Sequence, residues 1–181
     1  MHREPGQRSG PACGIPRVSS WARGAERSSR SPGYDVVSVG GGVVGDSSDL
    51  FDLLRDLELP IGDYAIFGSG PLIVRGIIGA SNDLDVVCRG AAWDRAQELG
   101  PLVYLPEHDV SIVSLDGGAL TFGTRWAIGD FDVDDLIDTA EIIDGLPFAR
   151  LDHVIAYKKI AGRPKDIEHL RLVAAYREGK A

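Results

Sequence analysis

Apolar positions along the body of this chain fall into two rhythms, one helical and one strand-like. Over residues 49–59, Leu50, Phe51, Leu53, Leu54 and Leu57 recur at helical spacing and make one wide apolar face. Ser47 or Ser48 can cap that helix, and Pro60 and Gly62 end it. The run 63–67 predicts a short buried strand. Gly68-Ser69-Gly70 then turns the chain, and Pro71 suits the first position of a short helix over 72–77. Residues 83–88 alternate acidic and apolar before running apolar, which predicts a second strand. A helix is expected over 91–99. The segments 110–115 and 119–122 flank Asp116-Gly117-Gly118 and predict a hairpin. Asp132 can cap a short helix through Ile137, and 141–144 with 147–149 predict a small hairpin around Gly145. Two helices close the chain, over 151–161 and 164–177, the second opening on Pro164. The expected class is α/β or α+β, a small mixed sheet with helices packed around it. Trp93 and Trp126 are expected as core or rim anchors.

Charge changes this picture at the N-terminus. The first 33 residues carry six Arg and two Glu, a net of +4, and 21 of them are Arg, Ser, Pro or Gly. With no apolar periodicity, such a stretch cannot offset its ordering entropy by burial, so 1–46 is expected to be a disordered basic tail with a Gly-rich linker and 47–181 the folded domain. A basic arm touching nucleic acid is the functional alternative for the tail. The whole chain has a net charge of −8, which leaves −12 on residues 34–181. A body that acidic repels phosphate backbones and disfavours tight general nucleic-acid binding. No apolar run approaches the roughly 18–20 residues that span a bilayer, so no membrane-spanning helix is expected. Nor does the N-terminus read as a secretory signal. Two cysteines, Cys13 and Cys88, are too few for a disulfide framework or a four-cysteine zinc site. A reduced cytoplasmic protein is expected, with Cys88 as a small buried apolar residue.

The chemistry-bearing signal is an ordered constellation. A strand leads into the Gly68-Ser69 turn, a short helix follows, and thirteen residues separate Ser69 from Asp83-Leu84-Asp85. Residues two apart on a strand project from one face, so Asp83 and Asp85 present their carboxylates together. Such a pair can hold one or two Mg²⁺ ions, which take carboxylates, water and substrate phosphates. Glycine and serine in the turn let backbone N–H groups approach a phosphate, with the positive end of the following helix nearby. Asp-x-Asp also occurs at Asp130/Asp132 and Asp132/Asp134, but only the first pair follows a Gly-Ser turn and enters an apolar strand.

Gly68-Ser69 with Asp83-x-Asp85 resembles the signature of the DNA polymerase beta-type nucleotidyltransferase superfamily. The likeness is to its small bacterial members, including toxin–antitoxin and abortive-infection nucleotidyltransferases. It extends to the lysine-bearing segment 151–161 and the turn Arg163-Pro164-Lys165-Asp166, and covers about residues 48–175. The resemblance implies Mg²⁺-dependent transfer of a nucleoside monophosphate from a nucleoside triphosphate such as ATP to a hydroxyl. It implies that Gly68 and Ser69 contact the triphosphate and that Asp83 and Asp85 bind the metal. It also implies a third carboxylate on a later strand. The matching strand here is read as 119–124, with Thr121 at its inward position; Asp116, Asp130 and Asp132 are the nearby candidates to substitute.

Lys158, Lys159, Arg163 and Lys165 cluster in an otherwise acidic body. Lys158 is the first choice for a triphosphate-neutralising cation, with Asp166 capping or orienting it. The structural alternative is a solvated helix end favoured by the helix dipole. Arg75 is a further cationic candidate or the partner of a nearby carboxylate. His153 and His169 read as surface or packing residues. The acceptor, protein, RNA or small molecule, is not named by the sequence. A second class of function is a non-catalytic binding or regulatory protein on the same fold, such as an antitoxin-like partner. A third is a dinucleotide-binding oxidoreductase, suggested by Gly40, Gly42 and Gly45 after an apolar run. The context contradicts it, because the next strand ends at Gly68 where an acidic ribose-binding residue is expected.

Overall fold

A computed structural model of the chain describes residues 47–126 and 128–179. The expected tail and the glycine motif at Gly40, Gly42 and Gly45 lie outside the described residues. In chain order the elements are α1 (Ser47–Asp56), β1 (Tyr64–Phe67), α2 (Gly70–Ile73), β2 (Leu84–Cys88), α3 (Gly90–Leu99), β3 (Leu102–Leu105), β4 (Val110–Leu115), β5 (Leu120–Gly123), α4 (Val133–Asp138), β6 (Glu141–Ile143), β7 (Leu146–Phe148), α5 (Leu151–Ala161) and α6 (Pro164–Arg177). The strands form one sheet in the order β3-β4-β5-β2-β1-β7-β6. The β2–β5 and β1–β7 pairs are parallel and the others antiparallel, so the sheet is mixed, as the sequence predicts.

The central strands β1 and β2 are buried along their whole length. Each face of the sheet therefore carries its own core. On one face Ile66, Val86, Leu120 and Phe122 pack against Phe51 and Leu54 of α1 and Ala92 and Ala96 of α3. Cys88 belongs to this layer as a buried free thiol. On the other face Phe67, Val87 and Ile112 meet Leu136 and Ile137 of α4 and Tyr157 of α5. Trp126 is buried there, stacked on Tyr157 at 4.8 Å and edge-on to Phe67 at 4.4 Å. A third cluster, Leu72, Ile77, Val154 and Val173, ties α2 to the closing α5 and α6.

Three local outcomes differ from the sequence expectation. First, α1 stops at Asp56, and Glu58 takes a left-handed φ of 51° before Pro60. Second, α2 is one turn long rather than running to Ile77. Gly76 sits at φ +66°, and the N–H groups of Gly76 and Ile77 close back on the carbonyls of Ile73 and Leu72 at 2.9 Å. This pattern of paired bonds over a left-handed glycine is a helix stop. Third, β3 is an edge strand that the polarity pattern does not signal. Val103 and Leu105 turn toward the core, but the outward residues Leu102 and Tyr104 are also apolar and more than half exposed. With both faces apolar, the period-2 alternation disappears.

Candidate active site

The site forms where β1 ends and β2 begins. Antiparallel pairing sets Phe67 opposite Asp85, so the chain leaves β1 at Gly68 directly beside the Asp85 carboxylate. Gly68 has φ +66°, and a Cβ there would stand 2.7 Å from Asp85 Oδ2. Any side chain at Gly68 thus collides with the acid as well as straining the backbone. This contact brings the Gly-Ser turn beside the second acid of the Asp-x-Asp pair. Asp85 is almost fully buried, 3% exposed, whereas Asp83 is partly open and accepts a 2.7 Å hydrogen bond from Ser81 Oγ.

Ser69 opens α2 but makes no side-chain capping bond. It lines a cleft of about 280 Å³ with Ile78, Gly79, Ala80, Ser81, Lys165 and His169. Lys165 and His169 bring the first two turns of α6 to this cleft. A single-turn α2 has little macrodipole, so the expected contribution of its positive end is small. The means of holding an anion here are the turn itself, the Ser69 hydroxyl and the Lys165 ammonium. Partial burial, then Arg163, pushes the Lys165 pKa down, while Asp83, Asp166 and Asp85 pull it back up.

Lys158 and Lys165 have different surroundings. Lys158 is 1% exposed, and its Nζ lies 3.2 Å from Asp166 Oδ1. Arg163 grips the same carboxylate, Nε to Oδ2 at 2.5 Å and a terminal nitrogen to Oδ1 at 3.2 Å. It also lies over the Tyr157 ring, with its guanidinium carbon 5.8 Å from the centroid. Burial pushes the Asp166 pKa up, but the Arg163 hydrogen bond and the Lys158 charge outweigh it and hold the carboxylate below its usual range. Burial pushes the Lys158 pKa down, opposed by Asp166. Asp166 thus orients Lys158 as the sequence suggests. The ammonium of Lys158 is held inside this ionic cluster and does not line the cleft, while Lys165, one residue before Asp166, does. The motif Arg163-Pro164-Lys165-Asp166 carried that signal: its Arg and Asp join the buried cluster and its Lys lines the cleft.

The other candidates resolve as follows. Arg75 pairs with Glu141 and donates to the Pro71 carbonyl at 2.7 Å, the carboxylate-partner alternative. His153 sits beside Thr139 and Asp135, 3.2 and 3.6 Å away. His169, expected as a surface or packing residue, lines the cleft with a buried Nδ1 that has no hydrogen-bond partner among the described residues. Burial and then the Lys158 charge push its pKa down to about 4. Thr121 stands opposite Asp85 in the parallel β2–β5 register and is fully buried. Of the substitutes, Asp116 is exposed in the turn before β5, Asp130 is exposed, and Asp132 caps α4 by accepting from the N–H groups of Asp134 and Asp135. Among the described residues, no group of three His, Cys, Asp or Glu is arranged to hold a metal. The donor set is two carboxylates and neighbouring hydroxyls, which fits a hard oxygen-seeking cation whose remaining ligands come from water and a phosphate-bearing substrate.

No family model matches the chain, and no curated protein matches it. Among solved structures it is similar to a candidate nucleotidyltransferase from Thermotoga maritima, at 14% identity over 68% of this chain and 91% of that one, with a TM-score of 0.47. A likeness that loose carries no argument about the site. No helix among the described residues is long and apolar enough to cross a membrane.

Removing one member of a buried ionic cluster leaves its partners' charges uncompensated. Asp166→Ala is expected to lower folding stability by about 3–5 kcal/mol, as breaking a buried pair does. Lys158→Met combined with Asp166→Leu is expected to cost less than Asp166→Ala alone; chemical denaturation of both variants checks the order. His169 gives a pH signature. Its proton is bound more tightly in the unfolded chain, so stability attributable to it is full above about pH 6.5 and falls as pH drops toward 4. In His169→Gln, the midpoint of thermal unfolding is expected to change less between pH 7 and pH 4.5 than in the wild type.

Proposed function

We propose that this cleft binds a nucleoside triphosphate and that the protein transfers its nucleoside monophosphate to a hydroxyl acceptor, protein, RNA or small molecule. The observation that carries this reading is the approach of Asp85 Oδ2 to within 2.7 Å of the position a Cβ would take at Gly68. It sets the backbone bend at Gly68 directly against the Asp85 carboxylate. Lys165 and Ser69 both line the cleft, where the charge of a polyphosphate tail needs partners.

In this reading Asp83 and Asp85 hold Mg²⁺, whose chemistry is to neutralise phosphate charge and orient the reacting oxygens. Gly68 admits the phosphate chain next to Asp85 because it presents no side chain. Ser69 offers its hydroxyl, which no capping bond occupies. Lys165 supplies fixed positive charge in the cleft. The acceptor hydroxyl, losing its proton, bonds to the α-phosphorus, and pyrophosphate leaves. The work of the protein is positioning and electrostatics rather than covalent catalysis. Asp166 keeps Arg163 and Lys158 occupied, so α6 starts in one fixed place and Lys165 is delivered to the cleft.

A second reading is favoured by one observation: Thr121 occupies the place opposite Asp85, and no third acid joins the pair among the described residues. In that reading the fold binds nucleotide or a protein partner without turnover, as an antitoxin-like module would.

The test is incubation with each α-labelled NTP and Mg²⁺, with total RNA and protein as acceptors and pyrophosphate release followed in parallel. Transfer by the wild type, reduced by about 100-fold or more in Asp85→Asn, is expected for an electrostatic site of this kind. Lys165→Ala is expected to raise KM for the triphosphate by about 10- to 100-fold, the worth of a lost charge-assisted hydrogen bond. Nucleotide binding without label transfer or pyrophosphate release under any of these conditions would favour the non-catalytic reading.

A further inference from the structure

We infer that His169 holds the nucleoside part of the triphosphate by a hydrogen bond from its Nε2, one helical turn beyond the Lys165 that meets the phosphates. This inference rests on the reading of the cleft as a triphosphate site and concerns which residue meets which half of the ligand.

Helix geometry and burial carry the argument. Lys165 and His169 stand four residues apart on α6, so they are neighbours on one helix face, about 6 Å apart along its axis. Both line the same cleft. A ligand with its phosphates at Lys165 that extends along α6 meets His169 next. His169 Nδ1 is buried and has no hydrogen-bond partner among the described residues. The nitrogen left to meet a ligand is therefore Nε2. Placing the ring proton on Nε2 avoids burying an N–H that has no acceptor, which would cost a lost hydrogen bond. Nε2 is then a donor to the cleft.

The surroundings keep this donor uncharged. Burial acts most strongly on the imidazole, and Lys158 on α5 with Lys165 and Arg163 at the start of α6 act in the same direction. Asp166 opposes them, but Lys158 and Arg163 already share that carboxylate. Together they bring the His169 pKa down to about 4. At neutral pH the residue offers a hydrogen bond and no charge. Phosphate oxygens gain most from charged donors, and Lys165 is the charged side chain of the lining. A neutral donor suits the uncharged acceptors of a nucleoside, a base edge or a ribose hydroxyl. The rest of the lining agrees, since Ile78, Gly79 and Ala80 bring no charge. Space also stands open at Gly79, where a Cβ would meet no heavy atom within 4 Å.

Isothermal titration of the full chain with Mg²⁺ at neutral pH separates the two halves of the ligand. The probes are inorganic tripolyphosphate and the four ribonucleoside triphosphates. His169→Ala is expected to weaken the tightest-binding nucleoside triphosphate by about 3- to 10-fold, the worth of one neutral hydrogen bond, and to change tripolyphosphate affinity by less than about twofold. His169→Gln, whose amide is again a neutral donor, is expected to recover most of the loss. His169→Leu keeps the volume without a donor and is expected to match His169→Ala; whichever of the two folds carries the test. The 2′-deoxy form of the same nucleotide locates the acceptor: loss of the His169 effect puts it at the 2′-hydroxyl, and persistence puts it elsewhere on the nucleoside. Equal weakening of tripolyphosphate and nucleotide would make His169 a phosphate ligand and overturn the inference, leaving the triphosphate reading standing. So would a nucleotide affinity that neither His169→Ala nor His169→Leu changes. No binding of any nucleoside triphosphate by the wild type would overturn the triphosphate reading itself.

Discussion

Gly68 has no side chain, and the Asp85 carboxylate stands 2.7 Å from where one would begin. The register of β1 against β2 enforces this closeness, since Phe67 faces Asp85 and the chain must leave the strand at the next residue. Around that contact everything else in the site is arranged. The turn bends with a positive φ, Ser69 is carried into the cleft, and the one-turn α2 leads away from it. Putting a nearly buried carboxylate against bare backbone is unfavourable for folding alone, because a buried charge needs compensation.

A second constraint acts from the other side. Asp166 gathers Lys158 from α5 and Arg163 from the α5–α6 turn, and the cluster is buried on all but the Arg163 side. Buried ion pairs contribute little net stability compared with apolar packing, but they demand a specific geometry. Here that geometry fixes the start of α6, and with it Lys165 and, one turn on, His169. Tyr157 links this cluster to the sheet, since it stacks on Trp126 and receives the Arg163 guanidinium over its ring. Asp85 on β2 and Lys165 on α6 are therefore held by two separate packing systems.

The local pattern of the chain fixed most elements. Strands β1 and β2, the β4–β5 and β6–β7 hairpins and the closing helices appear where apolar periodicity and turn residues predict them. Asp132 caps α4 as its position suggests. The edge strand β3 escaped because its solvent side is Leu102 and Tyr104, so no polar residue marks the outward face. The early ends of α1 and α2 escaped because both depend on left-handed residues, Glu58 and Gly76, whose conformation is chosen by the chain's need to turn back onto the core.

From the sequence alone came the pairing of a Gly-Ser turn with two acids on one strand face, because strand parity and turn chemistry are local properties. Tertiary structure decided the rest. It alone chose between two lysines seven residues apart, burying Lys158 against Asp166 and leaving Lys165 on the cleft wall, since the choice depends on how α6 docks rather than on residue type. It alone brought His169 to that wall and set Thr121 opposite Asp85, because contacts between distant segments follow from sheet order and helix docking, which no local pattern encodes.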